Sequence, residues 1–164
     1  MQMVSVKQAL HLAKFLQLLL TMKKRLLYLI LPIITLILEI LPYGAVLNFM
    51  RPPVEEGAPI GNFRELYSYF SLTPFGYANF APLITAVITC IILALLVVYT
   101  FTGKEKLRNT IKVTTLIGTI ISLGPLMFGI NFFSIVGALI SVSLLSETIL
   151  LFYTAKGSQA KTSE

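Results

Sequence analysis

The sequence has no tryptophan and no aspartate, with one histidine and one cysteine. Each absence removes a class of chemistry. A lone cysteine, Cys90, cannot close an intrachain disulfide, and its place within an apolar run predicts a buried thiol acting as a small hydrophobe. The lone histidine, His11, has no second His or Cys at ligand spacing, so no metal site is expected. A Ser–His–acid arrangement would also need His11, which lies between two lysines on a solvated stripe. The sequence contains no phosphate-binding glycine loop, no dinucleotide fingerprint, no H-E-x-x-H, no C-x-x-C and no G-x-S-x-G. The expectation is a protein without enzymatic activity or cofactor.

Charge is scarce as well. Charged residues make up 12% of the chain, against about one quarter in soluble domains. The net charge of +6 does not point to nucleic acid, because the basic residues flank apolar runs instead of forming an aromatic-interleaved stripe.

What the chain has in abundance is apolar length. Hydrophobic residues account for 56% of it and mean hydropathy is +0.85, a membrane composition. The pattern predicts an all-α membrane protein with four transmembrane helices, at about residues 26–46, 81–102, 110–129 and 132–153. The first run follows the basic cluster 22–25 and would make a helix of ~31 Å, about one bilayer core. It is too long for a signal peptide, and no clean small-residue cleavage site follows it. Pro32 should loosen its first turns.

Residues 1–22 read as a basic amphipathic helix, with Lys7, His11, Lys14, Gln17 and Thr21 on one stripe, or as an upstream extension. Both readings stay open. Residues 155–164 read as a disordered polar tail. Eleven of the 13 Lys and Arg lie in residues 1–25, 103–112 and the tail, and only Arg51 and Arg64 lie in the loop 47–80. That bias predicts a multi-pass protein of the cell membrane with both termini cytoplasmic and the loop outside.

The loop carries eight aromatics: Phe49, Phe63, Tyr67, Tyr69, Phe70, Phe75, Tyr77 and Phe80. Such a segment fits an aromatic cap at headgroup level; the functional alternative is a vestibule or docking surface. Prolines and glycines between Pro52 and Gly61 argue against lasting regular structure in its first half. Asn62 with Glu65 resembles a capping box and predicts a short helix over 63–70.

Two carboxylates fall inside predicted spans, Glu39 and Glu147. Tyr28, Pro32, Thr35 and Glu39 share one helical face, which should turn into the bundle. Ser143 stands one turn before Glu147. Counted from the ends of their spans, the two glutamates differ in level by ~10 Å, too far for a shared-proton dyad, so they read as separate sites. Candidate partners are Arg51, Arg64 or Thr35 for Glu39, and Ser143, Lys112 or Arg108 for Glu147. Glu147 also reads as a carboxylate snorkelling to the cytoplasmic surface. Small residues at Gly118 and Ser122, and at Gly137 and Ser141 with Ser134, form faces suited to close helix packing.

Two functions follow as expectations. The first is a structural or accessory membrane component, with the bilayer and another membrane protein or a second copy as partners. The second is a small proton-coupled transporter using Glu39. In outline the chain resembles the small multidrug resistance family, in its four spans and the lone glutamate of the first. That resemblance covers topology and Glu39 alone, and it implies a proton- and substrate-binding role for Glu39. The long loop, the N-terminal segment and the lack of tryptophan depart from the family pattern. A membrane enzyme acting on lipid would rest only on Arg51 and Arg64 beside the aromatic loop.

Overall fold

The computed structural model describes residue 22 and residues 25–51, 61–71 and 80–160. The expectations for residues 1–21, for Phe75 and Tyr77 and for the last four residues lie outside this set.

A 3-10 turn, Leu27–Leu29, leads into helix α1 (Ile30–Ile40). Pro32 explains the tight turn: it offers no N–H to the carbonyl one turn back, so the chain there closes by i to i+3 bonds. Leu41 then swings to an extended backbone, ψ 138°, as a residue before proline must. The expected first span therefore stops short. Residues 45 and 46 belong to a strand.

Strands β1 (Ala45–Arg51) and β2 (Gly61–Tyr67) pair antiparallel, from Ala45 opposite Tyr67 to Arg51 opposite Gly61. This hairpin corrects the all-α expectation and the short helix over 63–70. An isolated helix of that length is marginal, and one cap does not offset its nucleation cost. A strand opposite β1 satisfies its backbone groups and stacks Phe63 on Phe49, ring centroids 5.3 Å apart. On the exposed face of β2 the Tyr67 hydroxyl donates to Glu65, which raises the tyrosine's pKa above its ordinary value.

Three helices complete the fold: α2 (Ala81–Thr102), α3 (Glu105–Ser122) and α4 (Ile135–Ala160). Pro82 opens α2 and Gly103, at φ +63°, closes it, its N–H bonding the carbonyl of Tyr99 at 2.8 Å. Short 3-10 turns, Gly124–Phe128 and Ile130–Phe132, join α3 to α4. Helix α4 runs on through residues expected to be a disordered tail. Among the described residues three helical stretches could cross a membrane by length and composition, Ala81–Thr102, Glu105–Phe128 and Ile135–Tyr153, and Leu27–Ile40 is a shorter apolar one.

The four helices form a ring in which each packs on two neighbours. Cross-helix contacts fix the directions. Thr35 meets Ser143 while Gly44 meets Ser134, so α1 and α4 are antiparallel. Glu39 meets Thr89 while Arg25 meets Thr100, so α1 and α2 are antiparallel too. A Cβ on Gly118 would stand 3.0 Å from Ile88, and one on Gly124 would stand 2.7 Å from Ala81. Helices α2 and α3 therefore also run oppositely. The Ser141 hydroxyl reaches the Ser122 carbonyl at 3.3 Å, and Thr119 and Thr148 share a bond of 3.0 Å.

This interior is unusual for its hydroxyls. Thr35, Thr85, Thr89, Thr115, Thr119, Ser122, Ser141 and Ser143 are buried, beside an apolar set that includes Ile92, Leu96, Ile111, Ile140 and Leu144. Large apolar side chains such as Ile37, Ile91, Val98, Ile120 and Ile149 face outward. Such an inversion suits hydrocarbon surroundings, where hydroxyls bond carbonyls and neighbouring helices. Cys90 is exposed on this outer face, contrary to its expected burial.

Candidate functional site

The hairpin closes one end of the ring. Its base is tied down by backbone: Gly44 N–H donates to Tyr67 O at 3.0 Å, Tyr69 N–H donates to Glu39 O at 2.9 Å, and Ala45 bridges Phe133. Ser134 donates to the Gly44 carbonyl at 2.6 Å and accepts from the N–H of Gly137 at 2.7 Å. The Tyr69 ring, fully buried, lies against Gly44, where any Cβ would come within 2.8 Å of it. Gly137 has the same duty on α4, with the Gly44 carbonyl and the Tyr69 hydroxyl each 3.3 Å from the place of a Cβ.

Beneath this cap sit the two glutamates. Glu39 is 0% exposed and Glu147 is 1% exposed. Glu39 Oε1 accepts a hydrogen bond from Thr89 of α2 at 2.8 Å, and its Oε2 has no partner. Among the described residues neither oxygen of Glu147 has a hydrogen-bond partner. Between them in sequence register, the Thr35 hydroxyl donates to Ser143 at 2.7 Å and lies 3.0 Å from the carbonyl of Leu31.

The expected partners are elsewhere. Arg64 donates to the carbonyl of Phe133 at 3.3 Å, outside the bundle, where it lines a surface cleft with Tyr43, Leu66 and Ser134. Arg51 ends β1 opposite Gly61, at the hairpin's far end from the helices. Lys112 lies 5.6 Å from the ring centre of Phe152, and Arg108 is bridged to Glu105 at 2.7 Å. Thr35 spends its hydroxyl on Ser143 instead of Glu39. Nor does Glu147 snorkel, because its face of α4 turns inward between α1 and α3. Among the described residues no three His, Cys, Asp or Glu come together as a metal site would need.

The small-residue faces are also accounted for within the chain. Gly118 admits Ile88, Ser122 bonds Ser141, and Gly137 admits the hairpin base. Sequence reasoning missed Thr89 as the partner of Glu39; the signal that could have found it is the one-turn spacing of Thr85 and Thr89, which puts two hydroxyls on one face of α2. It also missed Tyr69, one aromatic among eight with nothing local to mark it as the buried one. The signal that could have paired α1 with α4 is a repeated spacing, Thr35 to Glu39 and Ser143 to Glu147.

The chain matches no family model, and it is similar to no curated protein and no solved structure at a significant level.

Proposed function

We propose that this chain is a small four-span integral protein of the cell membrane that passes protons through its helix ring by way of Glu39 and Glu147. The positive-inside bias sets its orientation: both termini cytoplasmic, the hairpin outside, and α1 with its shortened helix completed by the hairpin base as the first span. Non-helical backbone at membrane depth is tolerable there because Ala45, Val46 and Leu47 are buried in protein. The observation that carries the reading is three carboxylate oxygens, one on Glu39 and two on Glu147, that have no hydrogen-bond partner among the described residues, inside a hydroxyl-rich core. A glutamate kept for structure alone has its oxygens satisfied; one that takes up and releases a proton needs them free to change partners. Coupled to a substrate, such a site makes a small proton-coupled transporter.

The test is proton flux into proteoliposomes driven by a potassium diffusion potential and read with a pH-sensitive dye. The wild type should exceed empty vesicles, and Glu39→Gln and Glu147→Gln should each lower the flux by about a hundredfold or to the empty-vesicle level, the scale of a lost proton-transfer group. Flux untouched by both substitutions sinks the reading.

An accessory role, with another membrane protein or a second copy as partner, is the second reading. It is favoured by the exposed apolar rim of Met127, Ile130 and Ile135 at the hairpin end. A stoichiometric foreign subunit in native mass spectrometry of protein drawn from its own membrane would support it over the first.

A further inference from the structure

The two glutamates stand in matching positions on antiparallel neighbours. On α1 the run is Thr35-Leu36-Ile37-Leu38-Glu39, and on α4 it is Ser143-Leu144-Leu145-Ser146-Glu147. Each glutamate follows a hydroxyl by one turn, and the two hydroxyls bond each other at 2.7 Å. The Thr35–Ser143 bond therefore lies on a local pseudo-two-fold axis that exchanges Glu39 with Glu147. Helix side chains lean toward their own N-terminus. Because α1 and α4 run oppositely, Glu39 and Glu147 lean toward one another, and both lean toward the hydroxyl pair.

We infer that Thr35 and Ser143 join Glu39 and Glu147 into one proton path, as positioning and relaying hydroxyls. The inference rests on the proton-passing function proposed above and revises the expectation of two separate sites. Residues one turn apart have Cβ atoms about 5–6 Å from each other, a gap that a carboxylic acid spans directly or through one water. The transfer balances simply. A proton leaves a Glu39 oxygen for the Thr35 oxygen while the Thr35 hydroxyl proton passes along its existing bond to Ser143. The Ser143 proton then passes to a Glu147 oxygen. One proton has moved from Glu39 to Glu147, and rotation of the two hydroxyls restores the starting arrangement.

The surroundings favour transfer along this line. Glu39 is touched from α2 by Thr89, which holds one oxygen and leaves the other free. From the segment after β2, Tyr69 engages the Glu39 carbonyl through its backbone N–H, so it does not compete for the carboxylate by that bond. The cations of α3 have other partners, Arg108 the carboxylate of Glu105 and Lys112 the ring of Phe152. Among the described residues nothing pairs with Glu147 strongly enough to hold its proton or its charge fixed.

The test uses the full chain in the same flux assay. Thr35→Val and Ser143→Ala each remove one hydroxyl with little change of shape. Both should lower flux to the level of Glu39→Gln, and the double variant should be no slower than either single one. Thr35→Ser and Ser143→Thr, which keep the hydroxyls, should restore wild-type flux, a rescue that a packing role alone would not give. Ser143→Ala, the smaller change, carries the test if Thr35→Val fails to fold. Flux unchanged in the hydroxyl-less variants while Glu39→Gln is inactive overturns the relay and leaves the carboxylate function standing. A wild type indistinguishable from empty vesicles overturns both.

Discussion

Gly44 shows how much of this fold hangs on single atoms. A Cβ there would meet two carbons of the Tyr69 ring at 2.8 and 2.9 Å, and the ring has no room to retreat because it is wholly buried. Gly44→Ala should therefore destabilise the protein by about 1–3 kcal/mol, the usual cost of overpacking. Thermal melting in detergent checks this: the midpoint should fall, and it should recover in part when Tyr69→Leu is added. An unchanged midpoint would mean that the hairpin base does not sit where it is described. At this scale the sequence was legible where periodicity decides. Thr35, Glu39, Gly118 and Ser141 all face inward as their spacing implies. It was not legible where a residue's fate depends on which helix lies opposite and at what height. Glu39 finding Thr89, and Arg64 turning to the Phe133 carbonyl, are outcomes of register between segments far apart in sequence.

At the scale of elements, apolar runs announced the helices, and prolines and glycines announced their ends. Gly103 and Pro82 bound α2 as a C-terminal glycine and an N-terminal proline should. The hairpin was the element hidden from view. The proline-rich stretch between its strands reads locally as an obstacle to regular structure, and the Asn62–Glu65 signal favours a helix. The ladder from Ala45 opposite Tyr67 outward is a non-local solution that neither signal contains. Its register can be tested covalently. Met50 and Asn62 are opposite one another and both exposed. Antiparallel partners have Cα separations of about 4.5–5.5 Å, within disulfide reach. Met50→Cys with Asn62→Cys, in a Cys90→Ser background, should close a bridge under mild oxidation, visible as a mass loss and a mobility shift. A helix over 63–70 would give no such selectivity over Met50→Cys paired with Leu66→Cys.

Taken together, the described residues form a ring of four antiparallel helices, apolar outside and rich in hydroxyls inside, with a hairpin set into one end. The proposed orientation, read from the distribution of lysine and arginine, puts the hairpin outside. Single cysteines at Met50 and at Lys106, again without Cys90, test this. A membrane-impermeant maleimide should label the first in intact cells and the second only after permeabilisation. Equal labelling of both before permeabilisation would remove the topology and, with it, the direction of the proposed path.

Proton conduction requires the buried carboxylates to exchange protons, and infrared difference spectroscopy of the protein in lipid observes that most directly. Titrating the sample should change the carboxyl C=O region, with one component lost in Glu39→Gln and a second lost when Glu147→Gln is added, leaving only the signal of the other glutamates. A titration difference that neither substitution alters would show that Glu39 and Glu147 hold the helices together and carry nothing between them.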